Sequence, residues 1–427
     1  MAQDTDHLGR PIVAVTGLGV LTSLGEGQAA NWAALTAGTS GIRRISRFPI
    51  AGLRTTIAGT VDFVAVDDPS GPALSERLAE RVIAETIAEA RIRADGDFPG
   101  PLFLALPTIQ LEWTQRSMLA AAAGANETIG YPDLLRAAAA GDRGAVYERF
   151  LFGSVGERLA DRFGTKGSPI ATSTACASGG TSIQLGVEAI RRGETDVALC
   201  VGTDASVNPE SLIRFSLLSA LSTRNDPPAA ASRPFSKDRD GFIMSEGAGA
   251  LVLESLAHAR ARGATILGLI EGCGEAADGF HRTRSSPDGK PIVACMRRAL
   301  EDAGIGPDSV DYVNAHGTST PENDKMEWVG LTTVFGDRAG LIPVSSNKSM
   351  IGHTLTAAGA IEAIFTLLTI RNGLLPPTIN YETPDPAIPI DCVPNTARPG
   401  TVRHAISNSF GFGGQNVCLV LGAAPQD

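Results

Sequence analysis

Short apolar runs alternate along the chain with longer stretches in which Ala, Leu and charged residues recur at helical spacing. The runs IVAVTGLGV (12–20), DVALCVGTDA (196–205) and ALVLES (250–255) have the length and β-branched content of buried strands, and the Ala-rich stretches between them suit helices. That alternation predicts an α/β architecture. The pattern also repeats. PIATSTACASGGTSIQLGVEAIRRG (169–193) has the same shape as PVSSNKSMIGHTLTAAGAIEAIFTLLTIRNG (343–373): strand, small polar turn, Ala/Gly-rich helix, then a basic residue and Gly. Each is followed by a Gly-rich turn and an apolar strand, SEGAGALVLE at 245–254 and FGGQNVCLVLG at 412–422. The repeat predicts two similar halves, residues 1–260 and 261–427, joined near His258 to Ala264. Two stretches, 108–147 and 226–241, break the pattern and are read as long connections, the first enclosing a short helical run at Ala137 to Ala140.

Composition narrows the function. With 43% hydrophobic and 19% charged residues among 427, the chain is globular and disorder is excluded as its main theme. A net charge of −10 repels phosphate backbones, which excludes nucleic acid as the expected partner. No apolar stretch approaches the ~20 residues that a membrane helix needs. The best, Ala363 to Ile370, is short and follows Glu362, and the polar start MAQDTDHLGR lacks the pattern of a secretion signal, so a cytoplasmic protein is expected. The six Cys form no CxxC pair, and the six His never cluster with them at zinc-ligand spacing, so neither a metal nor a disulfide framework is expected. Cys200, Cys273, Cys295, Cys392 and Cys418 read as small hydrophobes of the core.

Cys176 differs from these five. It lies in TSTACASGG, at the turn from a strand into a helix that runs to about Arg192, where a helix N-terminus favours a thiolate nucleophile. A small packing residue is the competing reading, and the flanking Ser, Thr and Gly tilt the balance toward chemistry. His316, in DYVNAHGTST, follows an apolar strand, where parallel sheets gather ligand-facing residues. His353 is read as opening the helix HTLTAAGAIEAIFTLL, whose N-terminus would keep the imidazole neutral and able to donate a hydrogen bond. Singly, either His suits a structural role; with Cys176 they make one nucleophile and two donors, suited to thioester chemistry. NSFGFGGQN (408–416) could bring backbone N–H groups to a developing oxyanion, or be a tight turn before the last strand. VTGLGVLTSLG (15–25) has Thr22 where a dinucleotide fingerprint needs a third Gly or Ala, and no GxSxG elbow occurs.

TACASGG around Cys176, RPFSKDRDGFIMSEGAGALVLE (233–254), NAHGTSTPENDKMEW (314–328), SNKSMIGHTLTAAGA (346–360) and NSFGFGGQN closely resemble the elongating β-ketoacyl-acyl-carrier-protein synthases, in order, from about residue 10 to 422. The resemblance implies a thiolase-like five-layered αβαβα fold built from two similar halves, a homodimer, and decarboxylative Claisen condensation with no metal or diffusible cofactor. The phosphopantetheine arm would arrive on an acyl carrier protein. It implies that Cys176 carries the acyl chain, that the N–H groups of Cys176 and Phe412 form an oxyanion hole, and that His316 and His353 hold the malonyl thioester. Lys348, Asp324 and Glu327 would form a charged network behind the two His; Thr318 and Thr320 would bind the phosphopantetheine arm. Phe412 would be a gate, with Phe410, Gly411 and Gly413 beside it as substrate-binding residues and Asp278 to Thr283 as a second mobile loop. The chain departs from the family between Thr108 and Phe163, longer by roughly a dozen residues, in the segment that lines the acyl tunnel and dimer interface. A specialised synthase for long, very long or unusual chains is therefore expected. Three alternatives stay open to different degrees. A polyketide-type ketosynthase is compatible with the sequence. A chain-length-setting partner subunit would typically lack the Cys, and a thiolase would need a second Cys in a CxG motif, which neither Cys392 nor Cys418 provides. A basic patch for an acidic carrier is expected, with Arg214 and Arg224 as candidates.

Overall fold

The apolar runs become the strands of two sheets with the same plan. A computed structural model describes residues 4–67, 70–92, 96–108, 110–124, 130–141 and 144–425. In the first sheet β1 (Val13–Thr22), β2 (Leu102–Ala105), β3 (Ile170–Thr172), β4 (Val197–Asp204) and β5 (Gly247–Ser255) lie in the order β1-β5-β4-β2-β3. In the second, β6 (Gly268–Ala277), β7 (Tyr312–Asn314), β8 (Val344–Ser345), β9 (His404–Phe410) and β10 (Gln415–Gly422) lie in the order β6-β10-β9-β7-β8. Each sheet has parallel pairing around its third-listed to last strands and antiparallel pairing elsewhere. The start of β1 pairs with the start of β6, Val13 opposite Ile270, so the two sheets run on into one another.

Four helices complete the layers. The outer helix α1 (Gly71–Ala90) covers β1, β4 and β5, and the outer helix α3 (Lys290–Ala303) covers β6 and β10. Between the sheets lie α2 (Ser178–Arg191) and α4 (Ala358–Asn372), packed on each other and on strands of both sheets. The order is helix, sheet, helix pair, sheet, helix: the five-layered arrangement that the family resemblance implies, built from the two similar halves that the repeat predicts. This layering explains the sequence pattern. Strands β4 and β5 are buried along their whole length because helices cover both faces, so they read as continuous apolar runs and not as alternation. Helix α4 is buried from Ala358 to Thr369 and is apolar on every side, as an inner helix must be.

The inner helices approach where both are glycine. A Cβ on Gly179 would lie 2.5 Å from the Ala360 backbone N, and one on Gly359 would lie 2.4 Å from the Gly180 backbone N. Gly17 and Gly19 have a similar use: a Cβ on either would strike the α1 carbonyls of Thr86 or Val82, so these glycines serve helix packing and not a nucleotide.

Two expectations from the sequence need correction. The stretch 108–147 is not a bare connection; it carries the helices Trp113–Ala123, Tyr131–Ala140 and Gly144–Arg149, which the Ala-rich runs MLAAAA and LLRAAAA favour. His353 does not open a helix. It follows the short turn Lys348–Ile351 and precedes a 3₁₀ turn at Leu355–Ala357, and α4 begins five residues later at Ala358. The segment 226–241 is irregular, with one 3₁₀ turn at Pro228–Ala230, yet it seats Phe235 fully in the interior.

Gly359→Ala should therefore destabilise the fold by ~1–3 kcal/mol through overpacking against a backbone that cannot yield. Thermal unfolding checks this, and an unchanged Tm would show that the crossing has slack.

Candidate active site

The site forms at the N-terminal ends of the two inner helices. β3 leads through Ala175, at φ 50°, into a 3₁₀ turn that presents Cys176, and α2 follows at once. In the second half β8 leads, by way of Leu355 at φ 46°, into the equivalent turn before α4, where Thr356 takes the place of Cys176. A left-handed backbone at a residue with a Cβ costs roughly 1–2 kcal/mol, and here it turns the next side chain out of the layer. Thr356 is tied to the buried Asp204, which accepts from its N–H at 3.1 Å and its hydroxyl at 2.7 Å. The Cys176 thiol is left for chemistry.

His353 is held by its own backbone. Its N–H donates to the Ile243 carbonyl at 2.7 Å, and its carbonyl accepts from the Ser245 N–H at 2.9 Å, so the GFIMSEG segment pins it from both sides. Its Nε2 lies 3.1 Å from Cys176 Sγ. The His316 ring stands edge-on to it, with centroids 5.3 Å apart at 83°. Phe242 and Phe410 pack against the two rings from outside.

Behind the rings sits a charge pair sealed from water. Lys348 and Glu362 are each 1% exposed and bonded to one another, and Lys348 Nζ lies 3.5 Å from His316 Nδ1. An ammonium can only donate, so it makes Nδ1 an acceptor and leaves the Nε2 of His316 to carry the proton toward the cavity. This alters the network expected from the sequence. Glu327 does not meet Lys348; it accepts the backbone N–H groups of His316 at 2.9 Å and Gly317 at 2.8 Å, together with the Asn408 amide at 3.1 Å. Asp324 accepts the Phe235 N–H at 2.8 Å and faces Arg239 at 3.6 Å. The acidic partner of Lys348 is Glu362, which the sequence reading did not select because it lies inside a uniformly apolar helix.

Burial sets the protonation states. It holds both His well below the usual imidazole range, with the nearby Lys348 charge acting in the same direction, so both rings are neutral. The neutrality expected of His353 is present, but burial supplies it and not a helix end. The Cys176 thiol is pushed up to about 11 by burial, against the Phe412 N–H bonded to its sulfur and the Lys348 charge. The helix end was expected to favour a thiolate. A macrodipole contributes ~0.3–1 kcal/mol, less than one pKa unit, so the resting group at neutral pH is the thiol. Burial likewise pushes Glu327 up to about 7, opposed by the hydrogen bonds it accepts.

Phe412 divides two cavities. One, of about 550 Å³, opens over Cys176 and is lined by Phe215, Leu218, Leu355 and Phe412 among others. The other, of about 480 Å³, has Phe410, Gly411, Phe412 and Thr320 on its wall and the exposed Arg282, Arg284 and Lys325 around it. Gly411 passes so near Cys176 that a Cβ would fall 3.3 Å from the Cys176 backbone N. Gly413 donates its N–H to the Arg282 carbonyl at 2.8 Å, and Asp278 donates to Gly414 at 2.7 Å, so the 278–283 segment does brace the 411–414 loop. Thr320, on this wall, shares a 2.9 Å hydroxyl contact with the buried Thr318 and also caps the Pro321–Phe335 helix. Arg214 is elsewhere, in the wall of the Cys176 cavity, and Arg224 is paired with Asp238 at 3.4 Å.

One thiol facing two neutral donors, with a backbone N–H at the sulfur, suits acyl transfer. The Cys176 sulfur and one nitrogen of each His also lie within 4.8 Å of one another, close enough to share a metal ion. Lys348 beside His316 works against a dication there. Residues 113–259 match the family model "Beta-ketoacyl synthase, N-terminal domain" and residues 267–382 match "Beta-ketoacyl synthase, C-terminal domain". The chain belongs to the β-ketoacyl synthase family.

Among relatives in that family, the 3-oxoacyl-[acyl-carrier-protein] synthase 2 of Coxiella burnetii is 38% identical, over 96% of this chain and 98% of its own. The tetracenomycin polyketide synthase ketoacyl synthase alpha subunit of Streptomyces glaucescens is 36% identical over 97% of both chains. Among solved structures, a type II polyketide ketosynthase in complex with its acyl-carrier protein superposes with TM-score 0.87 at 33% identity, covering 97% of this chain and all of that one. The ishigamide ketosynthase/chain length factor gives 0.83 at 35%, with the same coverage. The β-ketoacyl synthase relatives thus include both fatty-acid and polyketide enzymes, and the fold is the thiolase-like one. Among the described residues no helix is long and apolar enough to cross a membrane.

Lys348→Met should leave Glu362 buried without a partner and cost ~3–5 kcal/mol, and adding Glu362→Leu should restore most of that stability. Decarboxylation by the double variant should stay at least tenfold low, because the His316 tautomer is no longer fixed. Denaturant melts with a rate assay separate the two roles; a fully active double variant would show that Lys348 serves stability alone.

Proposed function

We propose that this chain is a β-ketoacyl-[acyl-carrier-protein] synthase in which Cys176 holds the growing acyl chain while His316 and His353 activate the extender. The observation that carries the reading is the 3.1 Å approach of Cys176 Sγ to His353 Nε2, with His316 alongside, where two cavities meet at Phe412. The Cys176 sulfur attacks the thioester carbonyl of an acyl carrier. The C–S bond to phosphopantetheine breaks, and the thiol proton leaves with the carrier. The N–H groups of Cys176 and Phe412 face the oxyanion of this step, at ~2.7–4 kcal/mol of barrier for each such donor. Malonyl carrier then enters, and neutral His316 and His353 donate to its thioester carbonyl. Loss of carbon dioxide leaves an enolate stabilised by those donors. Its carbon attacks the acyl carbonyl on Cys176, the sulfur leaves and is reprotonated, and a 3-ketoacyl carrier two carbons longer is released.

All reacting groups come from this chain and two carrier-borne thioesters, so the proposal includes neither metal nor diffusible cofactor. The carrier docks at the basic rim formed by Arg282, Arg284 and Lys325, in place of the Arg214 and Arg224 expected from the sequence. Two copies pair along the open edge of β3, where Ile170 is exposed, and Trp113, Met118 and Tyr131 of the 113–140 helices present further exposed apolar surface. The presence of all three reactive residues speaks against a partner subunit that only sets chain length. The cavity over Cys176 has no second Cys in its lining, which speaks against a thiolase. A polyketide reading is supported by the tetracenomycin relative, and it predicts repeated extension without reduction. Pro107 and Thr108, at the start of the enlarged segment, line the acyl cavity, which supports a chain preference of its own.

Cys176→Gln should abolish condensation while malonyl-carrier decarboxylation persists, and His353→Ala should still acylate at Cys176 yet release carbon dioxide at least a hundredfold more slowly. Isotopic assay of carbon dioxide with intact-protein mass spectrometry checks both. Loss of decarboxylation in folded Cys176→Gln, or normal release by His353→Ala, would refute the assignment.

A further inference from the structure

The acyl cavity does not end in hydrocarbon. Arg214 forms part of its wall, and beyond Arg214 a recess of about 50 Å³ continues between Pro72, Glu112, Asn208 and Glu210. The recess adjoins the cavity, with Pro107, Thr108, Ser206, Ser211 and Arg214 lining both. Glu210 and Arg214 stand one turn apart on the helix Pro209–Leu217. Both carboxylate oxygens of Glu210 are shut off from solvent and have no hydrogen-bond partner. Its neighbour Glu112 is different, accepting the Gly71 N–H at 2.8 Å and the Asn208 amide at 3.3 Å. The Arg214 guanidinium bonds to none of the described residues, Glu210 included.

A carboxylate removed from water and left without a donor is costly, and an alkyl chain threaded past it would leave that cost in place. A hydroxyl would remove it. One hydroxyl donates to Glu210 and can accept from Arg214, whose exposed side chain stands at the same wall. We propose that Glu210 and Arg214 form a specificity site for an acyl chain that carries a hydroxyl toward its far end. The inference rests on Cys176 being the acyl carrier residue and adds the chemical class of the acyl group. A site built to bond a substrate hydroxyl rejects the analogue without it, because the Glu210 carboxylate oxygens then stay unpaired.

The test is competition between matched pairs of acyl carriers, octanoyl to hexadecanoyl, plain and hydroxylated at the terminal carbon, with the Cys176 adduct read by intact-protein mass spectrometry. At one or more lengths the hydroxylated chain should load at least tenfold faster than its plain counterpart. Glu210→Leu should cancel that preference while still loading plain chains, and it should raise Tm, because carboxyl oxygens without a partner have been removed. Equal loading of both members at every length would overturn the inference and leave acylation of Cys176 standing. A lowered Tm for Glu210→Leu would also overturn it, by showing that the carboxylate is already satisfied, for example by a second copy of the chain. If neither kind loads, the reading of Cys176 fails and this inference fails with it.

Discussion

The structure depends on one crossing. Helices α2 and α4 come from different halves of the chain, and their first turns touch at Gly179 and Gly359, where a Cβ would meet the backbone of the other helix, while one on Gly180 would meet the Val417 side chain. Nothing looser would serve. Cys176 lies just before one helix, and His353, five residues before the other, is pinned by the Ile243 and Ser245 backbone, so the separation of the helices together with that strap sets the separation of thiol and imidazole. Packing that admits no Cβ gives 3.1 Å. Both sheets, the outer helices and the strand pairing between β1 and β6 hold those two helix ends at that spacing. The duplication is carried down to backbone detail, with Ala175 and Leu355 both left-handed, and it is broken only in the side chain that follows. Cys176 faces the cavity; Thr356, its counterpart, is tied to Asp204 as a brace.

Electrostatics finish what the crossing begins. In a pocket this dry, charge is expensive, and thiol and both imidazoles settle into their neutral forms. A neutral imidazole is the form that donates to a carbonyl without first giving up a charge, and enolate stabilisation calls for such a donor. The one full charge near the rings, Lys348, is balanced by Glu362 and used to choose which nitrogen of His316 holds the proton. Glu327 acts on the same residue by another route, through the backbone of His316 and Gly317. One side chain fixes the ring and the other fixes the chain that carries it.

Much of this was legible in the sequence. The repeat between 169–193 and 343–373 carries the duplicated architecture, because inner helices must be apolar all round and strands covered on both faces must be continuous. Cys176, His316 and His353 stood out because each sits in a run of small or polar residues where a strand ends. What stayed hidden was hidden for physical reasons. Glu362 lies within AGAIEAIFTLL, and only the fold shows that its partner Lys348 reaches it. The thiol state of Cys176 depends on burial, which a helix-end argument does not measure. Arg214 is the exposed cation that the sequence suggests, and only the fold shows that it also borders the cavity over Cys176. The helices of 113–149 were obscured by polar and glycine interruptions that read as a loop.

The central claim is that the thiol and the two imidazoles act on two substrates in sequence within one site. The direct measurement is single-turnover chemistry: enzyme acylated at Cys176 by a labelled acyl carrier is mixed with malonyl carrier, and acyl loss from the protein, carbon dioxide and product are followed together. The account predicts equal amounts of all three, with the label in a 3-ketoacyl carrier two carbons longer. Release of the acyl group as free acid, or carbon dioxide without loss of label from Cys176, would contradict it.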